Sequence, residues 1–336
     1  MHEAMFYTKE DEGKVRCGLC RFRCLIADGG RGICRVRENR GGTLFSLVYG
    51  KVVAEHLDPI EKKPLFHVLP GSTSYSIATV GCNFHCRHCQ NYSISQVEPG
   101  SEISGIRRAP ADIVHGAVSS GARSIAYTYT EPTIFYEFAL DTARLAKDRG
   151  LMNVFVTNGY ISPEPLEQVA PLLDAANIDL KGFSDRFYRE IVGAKLSEVL
   201  DSIVEYRKLG IWLEITTLII PGLNDAEEEL KGIADFIVQN LGAETPWHVS
   251  QFYPTYRLTD RGRTPVSTLR MARDIGLASG LKYVYEGNVP GEGGENTFCP
   301  SCGAVVVERY GYTIVSNRLT GGNCPECGVS IAGLGM

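Results

Sequence analysis

Residues 74–91 read SYSIATVGCNFHCRHCQN: an apolar, strand-like run from Ser74 to Val80 that leads straight into Cys82, Cys86 and Cys89, spaced CxxxCxxC. The spacing puts three thiolates on one short loop. A [4Fe-4S] cube needs four ligands, so three protein thiolates leave one iron open to a chelating small molecule. A cluster built only for electron transfer would keep a fourth cysteine nearby, and the next one downstream is Cys299. The competing reading is zinc completed by His85 or His88. The strand before the loop and the motifs after it favour the open cube.

Working outward, strand-like runs recur at 124–129, 153–157, 176–180, 212–218 and 248–253, after the first at 74–80. Helical spacing of apolar residues falls between and after them, at 111–120, 134–149, 165–175, 196–209, 226–240 and 267–279. Six strand–helix units in order predict an α/β fold with a parallel sheet, wound by right-handed crossovers into a partial (β/α)6 barrel. Ligands of such sheets gather at the C-terminal strand ends, so the informative residues should follow each strand.

The rest of the composition bounds the answer. Across 336 residues 44% are apolar and the net charge is −5, which argues against disorder and against a surface built to neutralise phosphates, so nucleic acid is not favoured as a partner. The first fourteen residues are polar and acidic, and no apolar stretch is long enough to span a bilayer, which leads to the expectation of a cytoplasmic protein. All eleven cysteines fall into three tight groups, the distribution of metal ligands rather than of disulfide partners.

Of the terminal groups, Cys299, Cys302, Cys324 and Cys327 form two CxxC knuckles, each followed by glycine, and read as a structural zinc ribbon, with rubredoxin-like iron second. Cys17, Cys20, Cys24 and Cys34 also make four ligands but lack the double-knuckle form, which leaves zinc and an auxiliary iron–sulfur cluster both open. The expected organisation is an N-terminal four-cysteine module with a β-hairpin (1–70), a central barrel (71–285), and a linker with the ribbon (286–336). The hairpin is expected from the runs 44–49 and 52–56 around Gly50-Lys51, and the linker from GNVPGEGGEN.

CxxxCxxC after the first strand of a six-unit β/α domain resembles the radical S-adenosylmethionine (SAM) superfamily. EKKPLFH, PGS, GCNFHCRHCQN, YTYTEP, TNGY and DLKG together are similar to the branch containing pyruvate formate-lyase activating enzyme, and most to the radical SAM enzymes of the AmmeMemoRadiSam system. The resemblance implies that SAM chelates the open iron through its methionyl amino and carboxylate groups, and that one electron breaks its sulfonium bond. It places Thr130 and Glu131, within YTYTEP, at the SAM amino group; Thr157 and Asn158 beside SAM; and Asp179 and Lys181 near its carboxylate. His88 takes the position before the third cysteine, usually aromatic in this superfamily. Two departures from the activase pattern are Val156, where an Asp would help bind a cation, and Tyr256, where a His would lie near SAM.

His248, Gln251, Tyr253 and Tyr256 flank the last expected strand and are read as the substrate side, with satisfied core packing as the bland alternative. Arg257, Arg261 and Arg263 follow on a polar loop that could hold an anionic group. The function expected is reductive SAM cleavage to a 5′-deoxyadenosyl radical that takes hydrogen from a protein, peptide or small molecule. A glycyl-radical-enzyme activase is the narrower alternative, and a non-catalytic iron–sulfur and zinc binding module or redox sensor the alternative of another class. The partners implied are an electron donor such as flavodoxin or ferredoxin, and, through the resemblance, Memo-like and AMMECR-type proteins.

Overall fold

Short apolar runs become strands where helices cover both of their faces, and the sequence supplies such runs in order. The computed structural model describes all 336 residues, which divide into two units. The first comprises Met1–Asp58, Thr73–Ala175 and Glu198–Ile211, and the second Pro59–Ser72, Ala176–Ser197 and Trp212–Met336.

The first unit is built on strands β1 (Ala54–Pro59), β2 (Thr73–Ala78), β3 (Ser124–Tyr127) and β4 (Met152–Thr157), in the order β4-β3-β2-β1. Strand β3 runs parallel to both neighbours, with Ile125 opposite Tyr75 on one side and Asn153 on the other. Its four residues are all buried, the continuous apolar pattern of a strand covered on two faces. Helices α1 (Pro110–Ser119), α2 (Tyr136–Lys147), α3 (Pro163–Val169) and most of α4 (Leu196–Lys208) accompany these strands. Helix α1 opens on Pro110, and the Asp112 carboxylate accepts the Ala109 N–H at 2.8 Å. Two helices are shorter than expected, for a reason proline supplies. Pro132 starts a 3-10 turn, Pro132–Phe135, ahead of α2, and Pro171 cannot donate the next helical bond after α3, which closes in a 3-10 turn at Ala170–Leu172.

The second unit carries β5 (Ala175–Asp179, within this unit from Ala176), β6 (Trp212–Ile219), β7 (Trp247–Gln251) and β8 (Val284–Gly287), in the order β8-β7-β6-β5. Strand β7 is parallel to β6 and β8, with Val249 opposite Thr217 and Glu286. Helices α5 (Glu227–Asn240) and α6 (Val266–Ala278) belong to it. A three-stranded antiparallel sheet, Thr297–Phe298, Val305–Tyr310 and Thr313–Asn317, follows. Phe66, Tyr283 and Tyr285 pack with Cys299, Val306, Cys324 and Ile331 in one buried cluster. The GNVPGEGGEN loop is pinned: Glu286 N–H donates to Gly294 O at 3.0 Å, and Arg309 donates to Glu295 O at 3.2 Å and Asn296 Oδ1 at 2.7 Å.

The hairpin expected around Gly50-Lys51 is not formed. Thr43–Ser46 pairs instead with Arg37–Arg40 across Gly41-Gly42, whereas Lys51–Val52 pairs with Ile106–Arg107. The physical reason lies in the turn: both glycines adopt positive φ (59° and 79°), as a tight two-residue hairpin requires, and Asn39 Oδ1 accepts the Gly42 N–H. No helix is long and apolar enough to cross a membrane.

Candidate functional site

Strand β2 delivers the chain to the CxxxCxxC loop, which a short helix, Tyr92–Ser95, closes. Gly81 N–H donates to Ile94 O at 2.9 Å, so the loop's ends are fastened to each other. Cys82 Sγ accepts the Phe84 N–H at 3.3 Å, and Cys89 Sγ lies 3.2 Å from Ser95 Oγ. Cys86 and His88 are buried, Cys82 and Cys89 half-buried. Burial, and next the nearby Glu131 carboxylate, push the Cys82 thiol well above its ordinary pKa. Three thiols on one loop, met by hydrogen-bond donors, are a donor set suited to an iron–sulfur cube with one open iron.

The strand-end motifs of the first unit converge on that loop. Asn158, just past β4, donates from Nδ2 to Asn83 Oδ1 at 2.7 Å and to Cys82 Sγ at 3.8 Å, and accepts the Tyr160 N–H on Oδ1. Glu131, just past β3, is wholly buried. Its Oε1 accepts from Thr133 N–H, Thr133 Oγ1 and Thr157 Oγ1, and its Oε2 from Asn158 N–H. Burial raises its pKa while those donors lower it, with a net rise. Four donors on a carboxylate with about four acceptor sites leave Glu131 engaged in shaping the turn that carries Asn158. Thr130 is engaged likewise, its hydroxyl donating to Thr79 O at 2.9 Å.

Tyr129 precedes them with φ at 62°, a conformation that non-glycine residues adopt at a cost. Its Oη donates to Asp58, and its carbonyl accepts from Asn91 Nδ2 at 2.7 Å. Asn83 and Asn91 both lie inside the GCNFHCRHCQN stretch, where the cysteine spacing gives a signal and the asparagines give none. Asp58 carried no signal of its own.

The remaining candidates lie in the second unit. Lys181 and Asp179 form an ion pair at 2.7 Å, and Lys181 O accepts from Asn224 Nδ2 at 2.7 Å. Gln251 is buried and donates to Thr264 O at 2.5 Å. Tyr253 is exposed, and Tyr256 has φ at 52° with the Arg257 guanidinium 5.0 Å from its ring centre.

His248, read either as substrate side or as satisfied core packing, is buried. Its Nε2 donates to Glu214 Oε2 at 2.7 Å, its ring stacks on Tyr285 at 5.1 Å, and only 2% of it is exposed. A ring with a buried carboxylate partner and aromatic neighbours is a satisfied core histidine.

The EKKPLFH segment, recognised in the sequence without a role, belongs to the same network. Glu214 accepts the N–H groups of Phe66 and His67, while Glu61 accepts that of Gly71 and lies 3.8 Å from Arg309. Burial raises the Glu61 pKa and lowers that of Arg309, so desolvation outweighs their attraction.

Near the C-terminus, Cys299, Cys302, Cys324 and Cys327 bring their sulfurs within 4.8 Å of one another. The Cys299–Cys327 and Cys302–Cys324 pairs stand at 3.5 and 3.7 Å, close to the ~3.8 Å edge of a zinc tetrahedron with Zn–S of about 2.3 Å. Burial pushes the Cys299 thiol up, but the N–H groups of Cys302 and Ser301 outweigh it and bring it down to about 7.

A family model described as Radical SAM superfamily matches residues 76–237. An uncharacterised protein of Methanocaldococcus jannaschii, MJ0808, is 49% identical over 333 residues, 98% of this chain and 99% of that one. The pyruvate formate-lyase-activating enzyme of Clostridium pasteurianum is 23% identical over 160 residues, 47% of this chain and 66% of that one. Among solved structures, a radical SAM methyltransferase from Sphaerobacter thermophilus gives a TM-score of 0.51 at 15% identity, over 66% of this chain and 68% of that one, a likeness of fold alone. The fold class read from the sequence, α/β of the radical SAM type with a cysteine metal site near the C-terminus, is borne out.

Proposed function

Because the chain belongs to the radical SAM superfamily, whose members use SAM and a [4Fe-4S] cluster, we propose that it cleaves SAM reductively at a cluster held by Cys82, Cys86 and Cys89. When bound, the cluster supplies an open iron for the SAM amino and carboxylate groups and one electron for the sulfonium bond, giving a 5′-deoxyadenosyl radical.

The chain's own part is positional. Glu131 holds Asn158 through its backbone N–H, and Asn158 in turn holds Asn83 and reaches the Cys82 sulfur, so one carboxylate fixes the edge of the cysteine loop. Thr130 and Thr157 brace the same turn. In this reading Glu131 is a positioning residue, and contacts to SAM from the first unit fall to backbone groups near Thr130, to Asn158 and to His88. The modules 1–70 and 286–336 are read as metal-bearing appendages to the central domain 71–285, the second of them holding zinc.

The observation that carries the proposal is the convergence of Asn158 and Glu131 on the loop of three thiols. The radical would take hydrogen from a protein, peptide or small molecule, with an iron–sulfur or flavin protein as electron donor. The narrower activase reading draws on the name of the C. pasteurianum relative, and Val156 and Tyr256, which depart from the activase pattern, weigh against it. The test is anaerobic reconstitution with iron and sulfide, reduction by dithionite, and chromatographic assay of 5′-deoxyadenosine. Product from wild type but not from Cys86→Ala is expected; no product from a fully loaded wild-type cluster with SAM bound would overturn the proposal.

A further inference from the structure

We propose that Cys17, Cys20, Cys24 and Cys34 hold a second cluster, of the [4Fe-4S] type, in direct structural contact with the central cysteine loop. The four thiols line one shared, partly open pocket with a volume of about 10 Å³, walled on its apolar side by residues such as Ile26 and Ile134. That space admits a water-sized sphere between the lining side chains. The C-terminal thiols, by contrast, stand at 3.5 and 3.7 Å across their pairs, as a lone ion at about 2.3 Å from each sulfur requires. A zinc tetrahedron has no room at its centre for a water-sized sphere; thiols bound to the corners of an iron–sulfur cube are held further from the centre.

The surroundings suit thiolates on such a cube. Backbone N–H groups of Phe22, Ile33 and Val36 are aimed at the sulfurs of Cys20, Cys24 and Cys34. Arg37, 1% exposed and paired with Glu137, has Nη1 3.8 Å from Cys17 Sγ. Hydrogen bonds to the sulfurs and local charge are the levers that set a cluster's potential.

Contact with the central loop is made twice. Gly81, directly before Cys82, has φ at 99°, and a Cβ there would fall 2.7 Å from Val36 Cγ1 and 3.1 Å from Cys34 O. Phe22, between Cys20 and Cys24, meets Phe84, between Cys82 and Cys86, edge to face at 6.5 Å. The placement suits passage of one electron from an iron–sulfur or flavin donor protein, the N-terminal cluster losing the electron that the central one gains. That role rests on the function proposed above; the site itself does not.

The test uses the full chain with Cys82→Ala, Cys86→Ala and Cys89→Ala together, changes that leave the N-terminal thiols intact. After anaerobic reconstitution with iron, sulfide and zinc, this variant should keep one [4Fe-4S] equivalent, with its visible absorption and a reduced-state EPR signal, whether or not wild type cleaves SAM. Zinc at both terminal sites and no bound sulfide would overturn the proposal. In wild type, dithionite should give an EPR spectrum broadened by two neighbouring spins, narrowing in the triple variant. Two clusters with uncoupled signals would overturn the relay. Cys20→Ser with Cys34→Ser should remove one cluster equivalent from wild type, and two equivalents retained in that folded variant would place the second cluster elsewhere.

Discussion

Acid should loosen the second unit through His67, and the size of the effect follows from its two hydrogen bonds. The Nδ1–H donates to Ala332 O at 2.6 Å, which leaves Nε2 to accept from Tyr285 Oη–H at 2.6 Å; the ring is fully buried. The Nε2 bond needs the neutral ring, and burial brings its pKa down to about 4 from the ordinary 6.5. The unfolded chain therefore binds the proton near pH 6.5 and the folded chain only near pH 4. The stabilisation is complete above pH 6.5 and is lost as pH falls toward 4. At about 1.4 kcal/mol per pH unit, that gap caps the loss at about 3 kcal/mol.

Urea unfolding followed by tryptophan fluorescence reads the right region, because Trp212 and Trp247 are the only tryptophans and both lie in the second unit. His67→Gln should be less stable than wild type at about pH 7.5, and the difference should shrink by about 2–3 kcal/mol at about pH 4.5. Parallel stability curves for the two proteins would refute the assignment of the acid sensitivity to this ring.

Glu131→Gln places an amide NH2 among donors, so Asn158 loses its anchor, and 5′-deoxyadenosine formation should fall by about 10–100-fold at unchanged iron content; an unchanged rate would remove Glu131 from the scaffold. Arg309→Met leaves the Glu61 carboxylate buried without its cation and should cost about 3–5 kcal/mol in urea unfolding, against less than about 1 if the pair is idle. His248→Asn should lower stability by about 1–3 kcal/mol and leave deoxyadenosine formation nearly intact; selective loss of activity would restore it to the substrate side. Cys302→Ser with Cys327→Ser should remove one zinc per chain and make residues 297–336 protease-sensitive without changing iron content, as metal analysis and proteolysis would show.

The strand–helix alternation was legible because parallel strands covered on both faces read as unbroken apolar runs, as in Ser124–Tyr127, and because proline marks several helix starts. The cysteine groups were legible from spacing. What spacing could not give is the direction of a polar side chain. Glu131 and His248 are the types of residue that bind ligands, and only tertiary contacts show one turned into a backbone turn and the other against Glu214. The N-terminal hairpin was misplaced because Gly50-Lys51 and Gly41-Gly42 are both plausible turns, and the choice depends on Asn39 reaching back to Gly42. Asp58 was invisible because its partner, Tyr129, is 71 residues away.

The strained turn at Tyr129 then acquires a physical account. A non-glycine residue at positive φ costs about 1–3 kcal/mol and persists only where its surroundings over-determine it. Here the ring is tied to Asp58, the carbonyl to Asn91 beyond the third cysteine, and the next hydroxyl, Thr130, to Thr79 before the first. The same loop is gripped from the other side by Asn158 and closed on itself from Gly81 to Ile94. Anchors from two strand ends, those of β3 and β4, hold one loop of three thiols. Such redundancy is needed where ligands must keep their geometry while a substrate is bound and released at an open metal position. A zinc tetrahedron, closed by its own four ligands, would need none of it.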